Sequence, residues 1–316
     1  MGSGGALAAA WARAGALGLV GGGYGDLEWT SHEYGAATNA LSEEPKARAR
    51  LGCGFISWRL EQDARAFDWL LDQPVPPTAV MLSFGDPTRW VKRLKERGIA
   101  AICQIQSIAQ LAQVVDAGAD IIVAQGSEAG GHGATVEHGR STFALVPELA
   151  DRLAAISPDT LLLAAGGVAD GRGLAAALML GADGVLIGSR AWVTAESLAS
   201  AGAKTEAVRA SGDDTARSGI FDVLRRKAWP DGYGFRALRN TLHRQWEGRE
   251  AELRADPAAA IADFEAGVAA GDFSRANVTV GEGTGLIGDV PDSGTLVNRI
   301  TTEAVALLGG GWQRAS

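Results

Sequence analysis

Short apolar runs alternate with amphipathic stretches from the start of the chain to about residue 190. The runs at 17–22, 52–57, 79–85, 100–107, 119–126, 161–168 and 184–189 are apolar at most positions, as strands buried on both faces are. Between them, 63–71, 87–97, 108–117, 143–156 and 173–180 carry apolar residues at helical spacing. Such strands separated by helices predict a parallel sheet with right-handed crossovers. Polar and glycine-rich residues close one strand after another: Gly22-Gly23-Tyr24, Ser57-Trp58, Ser83-Phe84-Gly85, Gln104-Ile105-Gln106, Gly166-Gly167 and Gly188-Ser189. Chemistry collected at the C-terminal ends of parallel strands is the habit of the (β/α)8 TIM barrel. Seven strands are counted, however, and the chain opens on a helix at 5–14. A closed barrel requires one strand more, so either a first strand precedes Met1 or the barrel is open. A barrel lacking its first strand is the expectation adopted.

Beyond residue 194 the pattern changes to charged helical stretches, including 236–253 and 257–270, with turns marked by Trp229-Pro230 and Asp231-Gly232. The expected organisation is a barrel over 1–194, a smaller, mainly helical cap or lid over 195–280, and a C-terminal segment over 281–316. In that last segment a helix at 293–308 returns to the barrel, and the loop 281–287 reaches the mouth of the site.

Composition narrows the class. Apolar residues make up 47% of the 316 and charged residues 21%, as in a folded globular protein. The net charge of −8 disfavours nucleic acid as a partner. No apolar run approaches the ~18–20 residues that span a bilayer, and the first 25 residues lack the features of a signal peptide. Cys53 and Cys103 fall inside expected strands and read as small core hydrophobes, and no cluster has metal-ligand spacing. A cytoplasmic enzyme or binding protein is expected, its oligomeric state open.

The most informative segment is Gln125-Gly-Ser-Glu-Ala-Gly-Gly-His-Gly-Ala-Thr135, which follows the strand ending at Ala124. Its glycines let backbone approach a flat or phosphorylated ligand closely, and His132 titrates near neutral pH, so a cofactor site with a general base beside it is expected. Ala164-Ala-Gly-Gly-Val168 and Gly184-Val-Leu-Ile-Gly-Ser189 end consecutive strands. If a first strand is missing, they are the seventh and eighth, whose loops often hold phosphate in barrels. Gly167, Gly188 and Ser189 would then bind the phosphate, Ser189 through its hydroxyl. The plainer alternative is that these glycines only permit tight turns. Glu128 is expected to orient a neighbour or bind loop N–H groups. His32, His138 and His243 read as solvated or structural, Asp26 and Asp86 as helix caps, and Trp58 as pocket wall or packing.

Gln125-Gly-Ser-Glu-Ala-Gly-Gly-His132, Ala165-Gly-Gly167 and Gly188-Ser189, with Gly21-Gly-Gly-Tyr-Gly-Asp26 and Leu82-Ser-Phe-Gly-Asp86, together resemble the nitronate monooxygenase family, once called 2-nitropropane dioxygenases. The resemblance runs from about Met1 to Asp289 and implies an FMN-dependent TIM barrel. It places Gln125 and Gly130 beside the isoalloxazine or ribityl chain, Gly167 and Leu186-Ile187-Gly188-Ser189 on the phosphate, and His132 as the catalytic base. The implied reaction oxidises alkyl nitronates or nitroalkanes with O2 to carbonyl compounds and nitrite through a flavosemiquinone. In the family a Pro-Met turn ends the first strand, and Met1-Gly2 corresponds to it. One departure concerns the Asn that many members place at the end of the third strand, where this chain has Gly54. The same superfamily holds FMN-dependent NAD(P)H:quinone and enoyl-thioester reductases, which stay as an alternative. A non-catalytic flavin-binding or scaffold protein is the third reading.

Overall fold

A computed structural model describes residues 2–311. Ten strands are present among the described residues: β1 (Gly18–Gly23), β2 (Leu51–Ile56), β3 (Ala79–Ser83), β4 (Ala100–Ile105), β5 (Ile121–Gln125), β6 (Gly131–Ala134), β7 (Leu161–Ala165), β8 (Gly184–Leu186), β9 (Thr215–Ser218) and β10 (Tyr233–Leu238). Seven of them form one curled parallel sheet in the order β1-β2-β3-β4-β5-β7-β8, with helices in the crossovers. All seven strands read from the apolar runs are present, and the fold is the α/β, TIM-barrel type. Among the described residues β8 does not pair with β1, so the sheet carries an open seam. Gly2 and Ser3 run along that seam. The Gly21 N–H donates to Ser3 O at 2.9 Å, and the Leu198 N–H donates to Gly2 O at 3.1 Å. Met1, half of the expected Met1-Gly2 turn, lies outside the described residues.

Alternation along each strand divides the core into two layers. On β3, Val80 and Leu82 join an outer cluster with Trp90, Leu94 and Leu149 of the covering helices. Ala79 and Met81 face inward with Ile102, Val123 and Ala165. Strands buried on both faces are what made the runs legible. Cys53 and Cys103 are unpaired and buried in β2 and β4, and burial pushes both thiols up to about 12.

The region after the barrel differs from the expected helical pattern. The strands β6, β10 and β9 form a second, antiparallel sheet, which ties the glycine-rich loop to residues about a hundred positions later. The helix expected at 236–253 is instead the end of β10 followed by helices Thr241–Trp246 and Glu250–Ala255. Phe235 and Ala237 point into a local apolar cluster with Phe221, Leu242 and Phe264. Arg236, between them, points the other way, into hydrogen bonds with Ser127 O and Thr215 Oγ1. A buried charge inside a strand is what made the segment look like a solvated helix. The helix Ser293–Gly310 packs on helix Gly171–Met179, where the Gly171 N–H donates to Glu303 Oε2 at 2.8 Å.

Candidate active site

β5 ends at Gln125, and the chain turns through Gly126–Gly130 into β6, which carries His132. Three groups shape this turn. Gln125 Nε2 donates to His132 O at 2.9 Å, and Gln106 Nε2 donates to Gln125 Oε1 at 3.1 Å. Glu128 accepts from the Thr142 N–H and hydroxyl, so it caps the helix Thr142–Ile156 and belongs to the scaffold. Arg217 of β9 is buried beneath the turn. It donates to Ala129 O and Gly234 O at 2.7 Å, to Gly131 O at 3.1 Å and to Ser127 O at 3.3 Å. Burial, with Arg236 nearby, pulls its pKa down to about 10, so it stays a cation at neutral pH.

The turn closes one side of a cavity of about 270 Å3 at the C-terminal ends of the strands. Gln125, Gly130, His132, Gly167, Leu186, Gly188 and Ser189 all line it, although they come from three separate stretches of chain. Ile187 does not. It lines a neighbouring apolar cavity, to whose wall Leu186 also contributes. Gly54 lies within β2 beside Met81, and Ile56 is the β2 residue that faces the site. The loop after Val280 does reach the mouth, through Gly281 and Gly283.

One end of the cavity suits an anion. The Gly167 and Gly188 N–H groups make no hydrogen bond among the described residues. Gly166 (φ +105°) and Gly167 (φ +75°) hold backbone conformations that side chains rarely adopt, and a Cβ on Gly188 would project into open space. The Ser189 hydroxyl accepts the Gly281 N–H at 2.9 Å, which leaves its hydrogen to donate. Further in, Gln104 lines the cavity and its Nε2 is buried with no partner. Free amides at one end and an unsatisfied carboxamide in the interior fit a planar heterocycle carrying a phosphorylated tail.

His132 supplies the other end. Its Nε2 lies 2.8 Å from Asp222 Oδ1, and the two side chains are 8% and 9% exposed. The ring stacks on Trp229 (centroids 3.5 Å, planes 13° apart) and meets Phe235 at 4.8 Å. Burial lowers its pKa from the usual histidine value, and Asp222 partly restores it. His132 is therefore neutral at pH 7 and able to accept a proton. Phe84, also on the cavity wall, holds a positive φ of 60° and meets Trp229 edge-on at 5.1 Å. Trp58 sits behind Trp229 at 5.5 Å and does not line the cavity.

The other histidines are structural or solvent-facing. His32 contacts Glu33, His138 contacts Thr135 Oγ1, and His243 is buried against Ser218 Oγ. Asp26 caps the helix Leu27–Ala40, and Asp86 accepts from the Thr88 N–H at the start of the helix Thr88–Glu96. Asp222 and Arg217 escaped the sequence analysis, and Trp229 and Gln104 appeared there without a role. No local spacing relates Asp222 to a histidine ninety positions earlier. The Trp229-Pro230 turn marked a loop and Gln104-Ile105-Gln106 a strand end, and neither signal assigned a role. Among the described residues no group of His, Cys, Asp or Glu is poised to hold a metal, and no helix is long and apolar enough to cross a membrane.

A barrel-type α/β fold with an anion cradle, an unsatisfied carboxamide and a buried imidazole–carboxylate pair at its C-terminal face defines an enzyme-like ligand site. The family model for nitronate monooxygenase matches residues 48–303, and the chain belongs to that family. A nitronate monooxygenase from Metarhizium robertsii is 37% identical over 212 residues, which are 64% of this chain and 58% of that protein's length. One from Neurospora crassa is 29% identical, covering 95% of this chain and 85% of its own. The solved structure of FabK from Thermotoga maritima superposes with a TM-score of 0.78 at 28% identity, over 98% of this chain and 91% of that one.

Proposed function

We propose that this chain binds FMN in the cavity and oxidises alkyl nitronates and nitroalkanes with O2 to carbonyl compounds and nitrite. The observation that carries the reading is one cavity with free backbone amides at one end and the neutral, carboxylate-paired imidazole of His132 at the other. In this reading Gly167, Gly188 and Ser189 hold the phosphate and Gln125 and Gly130 border the ring system. Gln104 gives its unsatisfied Nε2 to a ring heteroatom. Bound FMN supplies the redox chemistry, accepting electrons from the substrate and passing them to oxygen.

The chain's own residues handle the proton. A neutral nitroalkane must lose its α-proton before it becomes a nitronate, and His132 accepts it, a contribution of about 10²–10⁴ in rate. The resulting imidazolium faces the anion it has made. Trp229, Phe84 and Ile56 give that end an apolar wall, whose low dielectric strengthens the attraction. The 1–194 barrel would carry the cofactor, the 195–280 segment the lid over the substrate, and the 281–316 segment the return to the barrel. Two buried, unpaired thiols support a cytoplasmic setting.

The test is anaerobic. Adding an alkyl nitronate to the flavin-loaded protein is expected to bleach the flavin absorbance, and adding NAD(P)H is not. Bleaching by NAD(P)H alone would overturn the reading and move the protein to the flavin reductases.

A further inference from the structure

His132 has two ring nitrogens, and they face different surroundings. Nε2 meets Asp222 Oδ1 at 2.8 Å. Nδ1 has no hydrogen-bond partner among the described residues, yet it is not sealed from solvent, unlike Nδ1 of His243, which is both buried and unpartnered. Asp222 does not line the cavity that contains His132. It lines a second cavity of about 480 Å3 on the other side of Trp229, together with Thr135, Ser218 and Lys227. The pair thus spans the wall between two cavities, with the imidazole on one side and the carboxylate bordering the other.

We propose that Asp222 is the positioning residue for this site, holding His132 as its Nε2–H tautomer and leaving Nδ1 as the atom that takes the substrate's proton. The inference rests on the proposed function for what the proton is taken from, but not for the tautomer itself. A carboxylate is an acceptor only, so the nitrogen 2.8 Å from it carries the hydrogen. A neutral imidazole has one N–H, so the second nitrogen keeps its lone pair. Stacking on Trp229 and contact with Phe235 prevent the ring from turning over to exchange the two. When a nitroalkane C–H bond breaks, its proton goes to Nδ1 and its electron pair stays on the substrate as the nitronate. The cation so formed already lies against Asp222. Asp222 borders the second cavity, and a polar space on that side lowers the cost of burying the ion pair. The other charges that face His132 are Arg225 and Arg217, both of which oppose protonation; Phe84, Trp229 and Phe235 are neutral.

The experiment compares the wild-type protein with Asp222→Asn and Asp222→Leu. Nitrogen-15 NMR of the flavin-free protein reads the tautomer without any turnover. Wild-type His132 is expected as the Nε2–H form, with that preference lost in Asp222→Leu. In the flavin-loaded protein, Asp222→Asn is expected to lower kcat on a neutral nitroalkane by about 10²-fold. Turnover of the preformed nitronate, which needs no base, should be little changed. Loss of the carboxylate should also move the acidic limb of the nitroalkane pH profile to lower pH, which a general loosening of the fold would not do. A wild-type Nδ1–H tautomer would overturn the proposal. So would an Asp222→Asn enzyme with the wild-type ratio of nitroalkane to nitronate turnover and an unmoved limb. If the wild type turned over neither substrate, the proposed function would fail, and the NMR spectrum would still decide the role of Asp222.

Discussion

Arg217→Met removes the group that grips the glycine-rich turn from below while keeping most of the side-chain volume. The guanidinium makes four hydrogen bonds to main-chain carbonyls, two of them at 2.7 Å, and three of those carbonyls (Ser127, Ala129 and Gly131) belong to the turn itself. Hydrogen bonds to a charged donor contribute about 1.5–3 kcal/mol each, and each buried acceptor left unpaired costs about 1–3 kcal/mol. Removing a buried cation also relieves its desolvation penalty, which offsets part of that loss. Taking the three bonds to the turn at about 1.5 kcal/mol each and allowing for that relief leaves about 3 kcal/mol holding the turn in shape. If the turn must be reordered each time a ligand binds, this loss appears as an affinity weaker by about 10²-fold. The assay is fluorescence titration of the flavin-free variant with FMN, beside a urea melt to confirm that it is folded. A folded Arg217→Met protein that binds FMN as tightly as the wild type would refute the claim that this arginine shapes the site.

His132→Ala should retain flavin and lose nitroalkane turnover by about 10²–10⁴-fold, with nitronate turnover far less affected; equal loss on both substrates would contradict its role as base. Gly188→Ala should leave the urea midpoint unchanged, because its Cβ meets nothing within 4 Å, yet weaken FMN binding by filling the space meant for the phosphate. Unaltered affinity in that variant would place the phosphate elsewhere. The pKa values of His132 and His243 are both lowered by burial, so the unfolded chain binds protons at these positions more readily than the native one. Their contribution to stability is complete above the ordinary histidine value of 6.5 and is lost as pH falls below it. Urea midpoints measured from pH 7.5 down to pH 5 should decline, and His243→Gln should flatten the decline; a rise toward pH 5 would show the sign to be wrong.

The barrel strands were readable because a parallel strand covered on both faces must be apolar at nearly every position. The same count gave seven barrel strands, the number the parallel sheet contains among the described residues. The Gly166-Gly167 pair was readable as a strand-end turn, because the positive φ at both positions favours glycine, and sequence shows glycine directly. The antiparallel sheet behind His132 was not readable. β6 has only four residues, two of them glycine, and β10 carries Arg236 in its centre, so neither shows the apolar pattern that marks a strand.

Sequence by itself determined the lining of the cavity: the glycine turn, the one histidine within it, and the strand ends that gather around it. Tertiary structure alone decided what that histidine can do. Asp222 is ninety positions away and Trp229 ninety-seven, and nothing local links them to His132. A base is defined by the acceptor behind it and the walls around it. Those come from segments that meet only when the chain after the barrel folds back and pairs β10 with β6.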